Sequence, residues 1–111
     1  MPSPVGSWLA KVERPSGTVE IGLHFTRDGL VFLVSGAHGG GFWRSQTILW
    51  YRIREAMVDD DGNYLGYIDI EQRGEVTTGQ LSSSGESRVY GADGELMRTV
   101  PIRITAVVAT T

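Results

Sequence analysis

The chain has 111 residues, with ten Lys and Arg against thirteen Asp and Glu and a formal net charge of -3. That length is one domain around one core, without room for separate catalytic and regulatory modules, and the basic residues are too scattered and outnumbered for a nucleic-acid footprint. With no cysteine, disulfides, thiolate nucleophiles and cysteine-based metal sites are excluded together.

The opening MPSPVGSW has no basic region followed by an apolar stretch, and no apolar run approaches the roughly 20 residues of a membrane helix. The expectation is a cytoplasmic protein with no signal peptide and no membrane anchor.

Glycines fall mostly where turns are wanted, and the segments between them alternate with a period of two, which is a strand signature. The first strand is expected over 6–13, with Trp8, Ala10 and Val12 on one face. ERPSG closes it, because Pro15 and Gly17 suit a turn. The second runs over 18–27, with Val19, Ile21, Leu23 and Phe25 on one face. Asp28-Gly29 is a two-residue hairpin turn, and 30–35 returns. GAHGGG at 36–41 reads as a flexible loop that serves as a lid over a barrel mouth, with His38 touching whatever enters. A short strand over 42–46 and a long one over 48–58 follow. DDDGN at 59–63 is the strongest turn signal, 64–76 pairs back across it, and 80–90 comes next. GADGE at 91–95 repeats the hairpin chemistry before a final strand over 96–110, with Val100, Ile102, Ile104, Ala106 and Val108 on one face.

Eight strands in consecutive hairpins with no helical period leave a sandwich or an up-and-down barrel. A barrel is favoured, because nearly every strand has one apolar and one polar row and an open meander leaves two long edges to protect. The fold expected is therefore all-β, an eight-stranded antiparallel up-and-down barrel spanning 1–111. Pro101 is an objection, since proline cannot donate to a ladder; it suits a loose seam.

GSW at 6–8, FTRDG at 25–29, GFWR at 41–44 and DDDGNYLG at 59–66, taken in order and spacing, resemble the small bacterial lipocalin-like (calycin-type) barrels. The resemblance implies a barrel with Trp8 closing one end and a small apolar molecule carried inside. Barrels of similar shape in polyketide pathways fold a bound chain into a ring. The chain is much shorter than typical secreted lipocalins.

With the apolar rows inside, the interior is lined by Trp8, Val12, Ile21, Leu23, Phe25, Trp43, Leu49, Tyr51, Ile53, Met57, Ile68, Ile70, Leu81, Val89, Ile102 and Ile104. Ser83, Gly85 and Ser87 leave room beside them. Gln72 adds an uncharged donor and acceptor. Glu55 stands on the same row as Tyr51. Inside an apolar cavity its pKa rises and it becomes a general acid or base near neutral pH, with Tyr51 as its catalytic partner; at the barrel mouth it is simply solvated, or it pairs with an arginine. Of these, Trp8, Leu23, Phe25, Trp43, Ile53, Met57, Ile70, Gln72, Leu81, Ser83 and Ile102 are the expected ligand contacts.

On the outer row, Trp50, Arg52 and Arg54 face Asp69, Glu71, Arg73 and Glu75, which suits cross-strand ion pairs. An exposed Trp50 there marks a candidate homodimer contact. DDDGN resembles a calcium loop only superficially, because Ile70 stands where an EF-hand needs glutamate. His24 and His38 lack a third ligand, so neither metal nor cofactor is expected. Three readings follow: a cofactor-independent cyclase or isomerase acting on an apolar, partly oxygenated molecule, a binding protein without turnover, or a packed barrel that binds another protein.

Overall fold

Period-two alternation turns into sheet wherever each apolar row finds a second strand to share its face. In the computed structural model, which describes residues 2–109, the strands are β1 (Gly6–Arg14), β2 (Gly17–Phe25), β3 (Leu30–Ser35), β4 (Gly39–Ser45), β5 (Leu49–Val58), β6 (Tyr64–Thr77), β7 (Gln80–Gly91) and β8 (Leu96–Val108). Each pairs antiparallel with its neighbours in sequence. β1 also pairs with β8, from Trp8↔Val108 to Glu13↔Arg103, and closes the barrel. Among the described residues no strand is a free sheet edge, as closure requires, and no helix is long and apolar enough to cross a membrane.

Pro101 sits where a missing N–H matters least. The β1–β8 ladder stops at Glu13↔Arg103, so Pro101 has a ladder partner only on the β7 side, opposite Glu86. The end of the final strand expected at 109–110 differs: β8 stops at Val108, Ala109 carries no strand assignment, and Thr110 lies outside the described residues.

The strand expected over 18–27 ends earlier, at Phe25. Thr26 closes the turn instead: its carbonyl faces Gly29 N–H, its amide donates to Leu30 O at 2.8 Å, and its hydroxyl accepts from Leu30 N at 3.0 Å. At DDDGN, Asp59 holds the hairpin: its Oδ1 accepts the amides of Asp61 and Asn63 at 3.0 and 2.9 Å, and its Oδ2 accepts from Asn63 Nδ2 at 3.1 Å.

The glycine loop at 36–41 needs a larger correction. Gly39, Gly40 and Gly41 are strand residues, paired on one side with Leu33, Phe32 and Val31 and on the other with Glu55, Arg54 and Ile53. Glycine here reflects close approach between strands and not looseness. A Cβ on Gly41 would collide with the Arg52 carbonyl oxygen of β5, so the two strands can approach this closely only without a side chain there. Only 36–38 remain as a turn, too short a segment to cover the barrel as a lid.

Outside, charge is neutralised locally. Asp69, 3% exposed, accepts Arg54 Nε at 2.8 Å, Arg54 Nη2 at 3.0 Å and Arg52 Nη2 at 3.0 Å. The two arginines hold its carboxyl below the usual range against the opposing effect of burial. Trp50 is half-buried, not freely exposed: its indole donates to Glu71 Oε2 at 2.9 Å, packs on Phe42 and lies under Arg44.

Gly41→Ala should lower unfolding stability by about 1–3 kcal/mol through overpacking against backbone. Gly40→Ala should change it far less, since its Cβ meets only the movable Phe32 ring at 3.1 Å and, more distantly, Val31 O. Urea unfolding of the two variants side by side checks the contrast.

Candidate functional site

The barrel interior divides into two parts. In the first, Leu23, Phe25, Leu49, Tyr51 and Ile104 are wholly buried. Phe25 presents its edge to Tyr51 at 5.4 Å and to Trp43 at 6.3 Å between ring centroids, the geometry that the ring quadrupoles favour. Trp8 is buried with its indole donating to Pro4 O at 2.8 Å, and Trp43 donates to Thr26 O at 2.9 Å. Both large rings are thereby satisfied and fixed.

Tyr51 reaches over β6 to Ser83 on β7, with 2.8 Å between the two oxygens. Ser83 Oγ in turn donates to Gln72 Oε1 at 2.8 Å. Because a serine hydroxyl carries one proton, the phenol must donate to Ser83, and the order runs Tyr51 to Ser83 to Gln72. Gln72 Nε2 reaches the carbonyls of Glu71 and Ile102 at 3.3 and 3.5 Å. Burial pushes the Tyr51 phenol well above its ordinary range, and the Ser83 bond offsets this only in part, so the group is a neutral donor at any working pH. The room expected beside Ser83 is occupied by this network. Gly85 brings strands together instead of leaving space, since a Cβ there would strike the Glu71 carbonyl.

The second part lies past the end of this network. A cavity of about 350 Å³ is bounded by the β1–β2 turn, β6, β7 and the first residues of β8, with Ile68, Val89 and Val100 as its apolar wall and Arg14, Arg98 and Ser87 among its polar groups. Ile68 stands opposite Glu55 on one side and Val89 on the other, and Ser87 opposite Val100. Glu55 is thus on the interior row beside the cavity wall, half-buried, with the bare Gly39 as its β4 partner. Desolvation raises its pKa, and the positive charges of Arg14 and His38 pull it partly back. No ion pair ties Glu55 to an arginine among the described residues.

Of the residues expected from sequence, Trp8, Leu23, Phe25, Ile53, Ile70, Leu81, Ser83, Gln72, Tyr51 and Ile102 are brought together as packed interior. Trp43, Met57 and Glu55 are half-buried. Arg14, Arg98 and Val100 had no assigned role. Arg14 continues the Trp8, Ala10, Val12 row by one further step, and Arg98 precedes Val100 on the row of Ile102; extending both rows by two residues finds them. No metal-binding cluster of His, Cys, Asp or Glu occurs among the described residues.

No protein-family model matches this chain, and no curated protein matches it.

A carboxyl whose folded pKa is raised contributes stability below its unfolded pKa and loses that contribution as pH rises through the folded value. Glu55→Gln should therefore gain stability relative to the wild type as pH rises from the ordinary glutamate pKa of about 4.3 through the raised folded value. Urea unfolding of both proteins across that range measures the difference; a gap that does not change with pH contradicts a desolvated Glu55.

Proposed function

We propose that the protein is a lipocalin-like ligand-holding barrel that binds a small, apolar, partly oxygenated molecule in the cavity at the Glu55 end. The single observation that carries this reading is the division of the interior. One part is packed without accessible surface, while the other keeps a cavity with an aliphatic wall and a few polar groups, the usual make-up of a small-molecule site. Its volume lies at the lower end of the roughly 300–1,000 Å³ range of such sites.

Glu55 stands opposite Ile68 of the cavity wall, and desolvation raises its pKa above the ordinary glutamate value, which suits a group that exchanges protons. The chemistry that suits it is cofactor-independent cyclisation or isomerisation of an oxygenated chain of polyketide type, with the apolar wall restricting conformers and Glu55 moving the proton. Tyr51 is covered and neutral, so its role in this reading is to hold Ser83 and Gln72 and close the floor. Binding without turnover uses the same site, with Glu55 orienting the ligand by hydrogen bonds.

A specific observation also favours a protein contact on the outside. Leu30, Phe32, Val34 and Phe42 are 42%, 41%, 60% and 52% exposed on the outer face of β3 and β4, an apolar stripe beside Trp50. Large exposed apolar surface marks interaction faces, including that of a homodimer.

Calorimetric titration with 1-octanol should give saturable binding to the wild type and none to Val100→Trp, whose indole fills the cavity, while both proteins melt at similar temperatures. Equal binding to the filled variant overturns the site. If a bound compound is converted, Glu55→Gln should abolish turnover with only a modest loss of affinity; a loss of affinity alone identifies a binding protein.

A further inference from the structure

The strands of the barrel differ in length, and the wall is notched where two of them fall short. The β3–β4 hairpin turns at 36–38, level with Gly22 of β2 and Glu55 of β5, while β2 and β5 both continue past it at the Glu55 end. β2 pairs with β3 only from Gly22↔Ser35 to Phe25↔Val31, and β5 pairs with β4 no further than Gly39↔Glu55. Among the described residues, 17–21 therefore have a ladder neighbour only in β1, and 56–58 only in β6. Val19 registers the gap. It stands on the interior row opposite Val12, yet Val12 is 1% exposed and Val19 46%.

The backbone of β2 faces into this notch. Thr26 N–H donates to Leu30 O on the β3 side, and alternate residues of a strand direct their N–H and C=O to the same neighbour. Gly22, Glu20 and Thr18 thus turn theirs toward β3, which is present at Gly22 but has ended before Glu20 and Thr18. Each of those two residues offers a donor and an acceptor along an extended strand. Exposed edges are normally blunted by a lysine, a proline or a bulge. The β5 edge has such a device in the register shift between Met57 and Val58. The β2 edge, Gly-Thr-Val-Glu, has none, and its register against β1 is unbroken.

The notch is also acidic. Glu20 and Glu55 stand on its two sides, and Asp60 and Asp61 follow Val58 in the next turn. These carboxylates outnumber Lys11, the ladder partner of Glu20, and Arg14, even with His38 protonated. A groove of about 390 Å³, with Leu9, Lys11, Glu20 and Ser35 among its lining, reaches the same edge.

We infer that the 17–20 edge of β2 is a docking site for an extended, basic segment of a partner protein, which joins the sheet as an additional strand. Main-chain bonds to Thr18 and Glu20 supply affinity, and alternate side chains supply selectivity. An apolar side chain turns inward onto Val19, and a lysine or arginine turns outward beside Glu20. A second copy of this chain fits less well, because joining two β2 edges sets one acidic rim against another. The site lies in the barrel wall and does not involve Ile68, Val89 or Val100.

An NMR titration with an acetylated, amidated peptide of about seven alternating valine and lysine residues tests the site. Saturable shifts should centre on the Thr18 and Glu20 amides, and solvent exchange of both should slow at least roughly tenfold at saturation. The same peptide N-methylated throughout should not bind, and a valine–glutamate peptide should bind at least roughly tenfold more weakly. Thr18→Pro removes a donor from the open edge and leaves the β1 ladder intact, so it should weaken binding at an unchanged melting temperature. Glu20→Lys should narrow the difference between the two charged peptides, and it keeps the test available if Thr18→Pro folds poorly. No saturable shift, shifts centred away from Thr18 and Glu20, or equal binding of the N-methylated peptide overturns strand addition. Equal binding of the two charged peptides overturns the choice of a basic partner. Concentration-dependent dimerisation that protects the same two amides without peptide makes a second copy the occupant and overturns the partner protein.

Discussion

The hydrogen-bonded reach of Tyr51 across the barrel interior is the constraint on which the rest of the structure depends. An eight-stranded barrel is just wide enough for side chains to fill or for one small ligand to enter, and Tyr51 determines which occurs where. Its phenol donates to Ser83, Ser83 donates to Gln72, and Phe25 stands edge-on against its ring. Three polar side chains from three adjacent strands are thereby satisfied without water, the condition under which buried polar groups are tolerated. The network forms a floor. Below it the aromatic and aliphatic rows interdigitate, and beyond it the cavity opens toward Glu55, Arg14 and Arg98.

Closure and close strand approach support that division. β4 lies close against β5, and this close approach is possible because Gly41 has no Cβ to meet the Arg52 carbonyl. Gly39, next on the same row, leaves Glu55 without a bulky neighbour on its β4 side. The glycines that shape the wall thus also set how much solvent reaches the carboxylate. Outside, the Asp69 cluster ties β5 to β6 just behind the Glu55–Ile68 pair, so the strand that carries Glu55 is braced on its outer face.

The barrel was legible in the sequence because period two is a local signal: rows such as Val19, Ile21, Leu23 and Phe25 declare a face without knowledge of the partner strand. The turns at DDDGN and GADGE were legible for the same reason. The GAHGGG segment was not, since glycine looks alike whether it loosens a loop or permits close packing, and only the β5 backbone opposite distinguishes them. Ser83 read as empty space because the length of Tyr51 and its direction across the barrel are tertiary facts. Glu55 was visible as a carboxylate on an apolar row, whereas Arg14 was lost when the first strand was ended one residue early. That single residue moves an arginine from a turn to the interior row.

The most direct measurement is the response of methyl resonances to octanoate and to 1-octanol. A barrel divided by the Tyr51 floor predicts shifts confined to Ile68, Val89 and Val100, with Leu23, Leu49 and Ile104 unmoved. Shifts centred on Leu23, Leu49 and Ile104 would place the ligand below the floor and contradict the division, and no shift from either compound would contradict the cavity as a site.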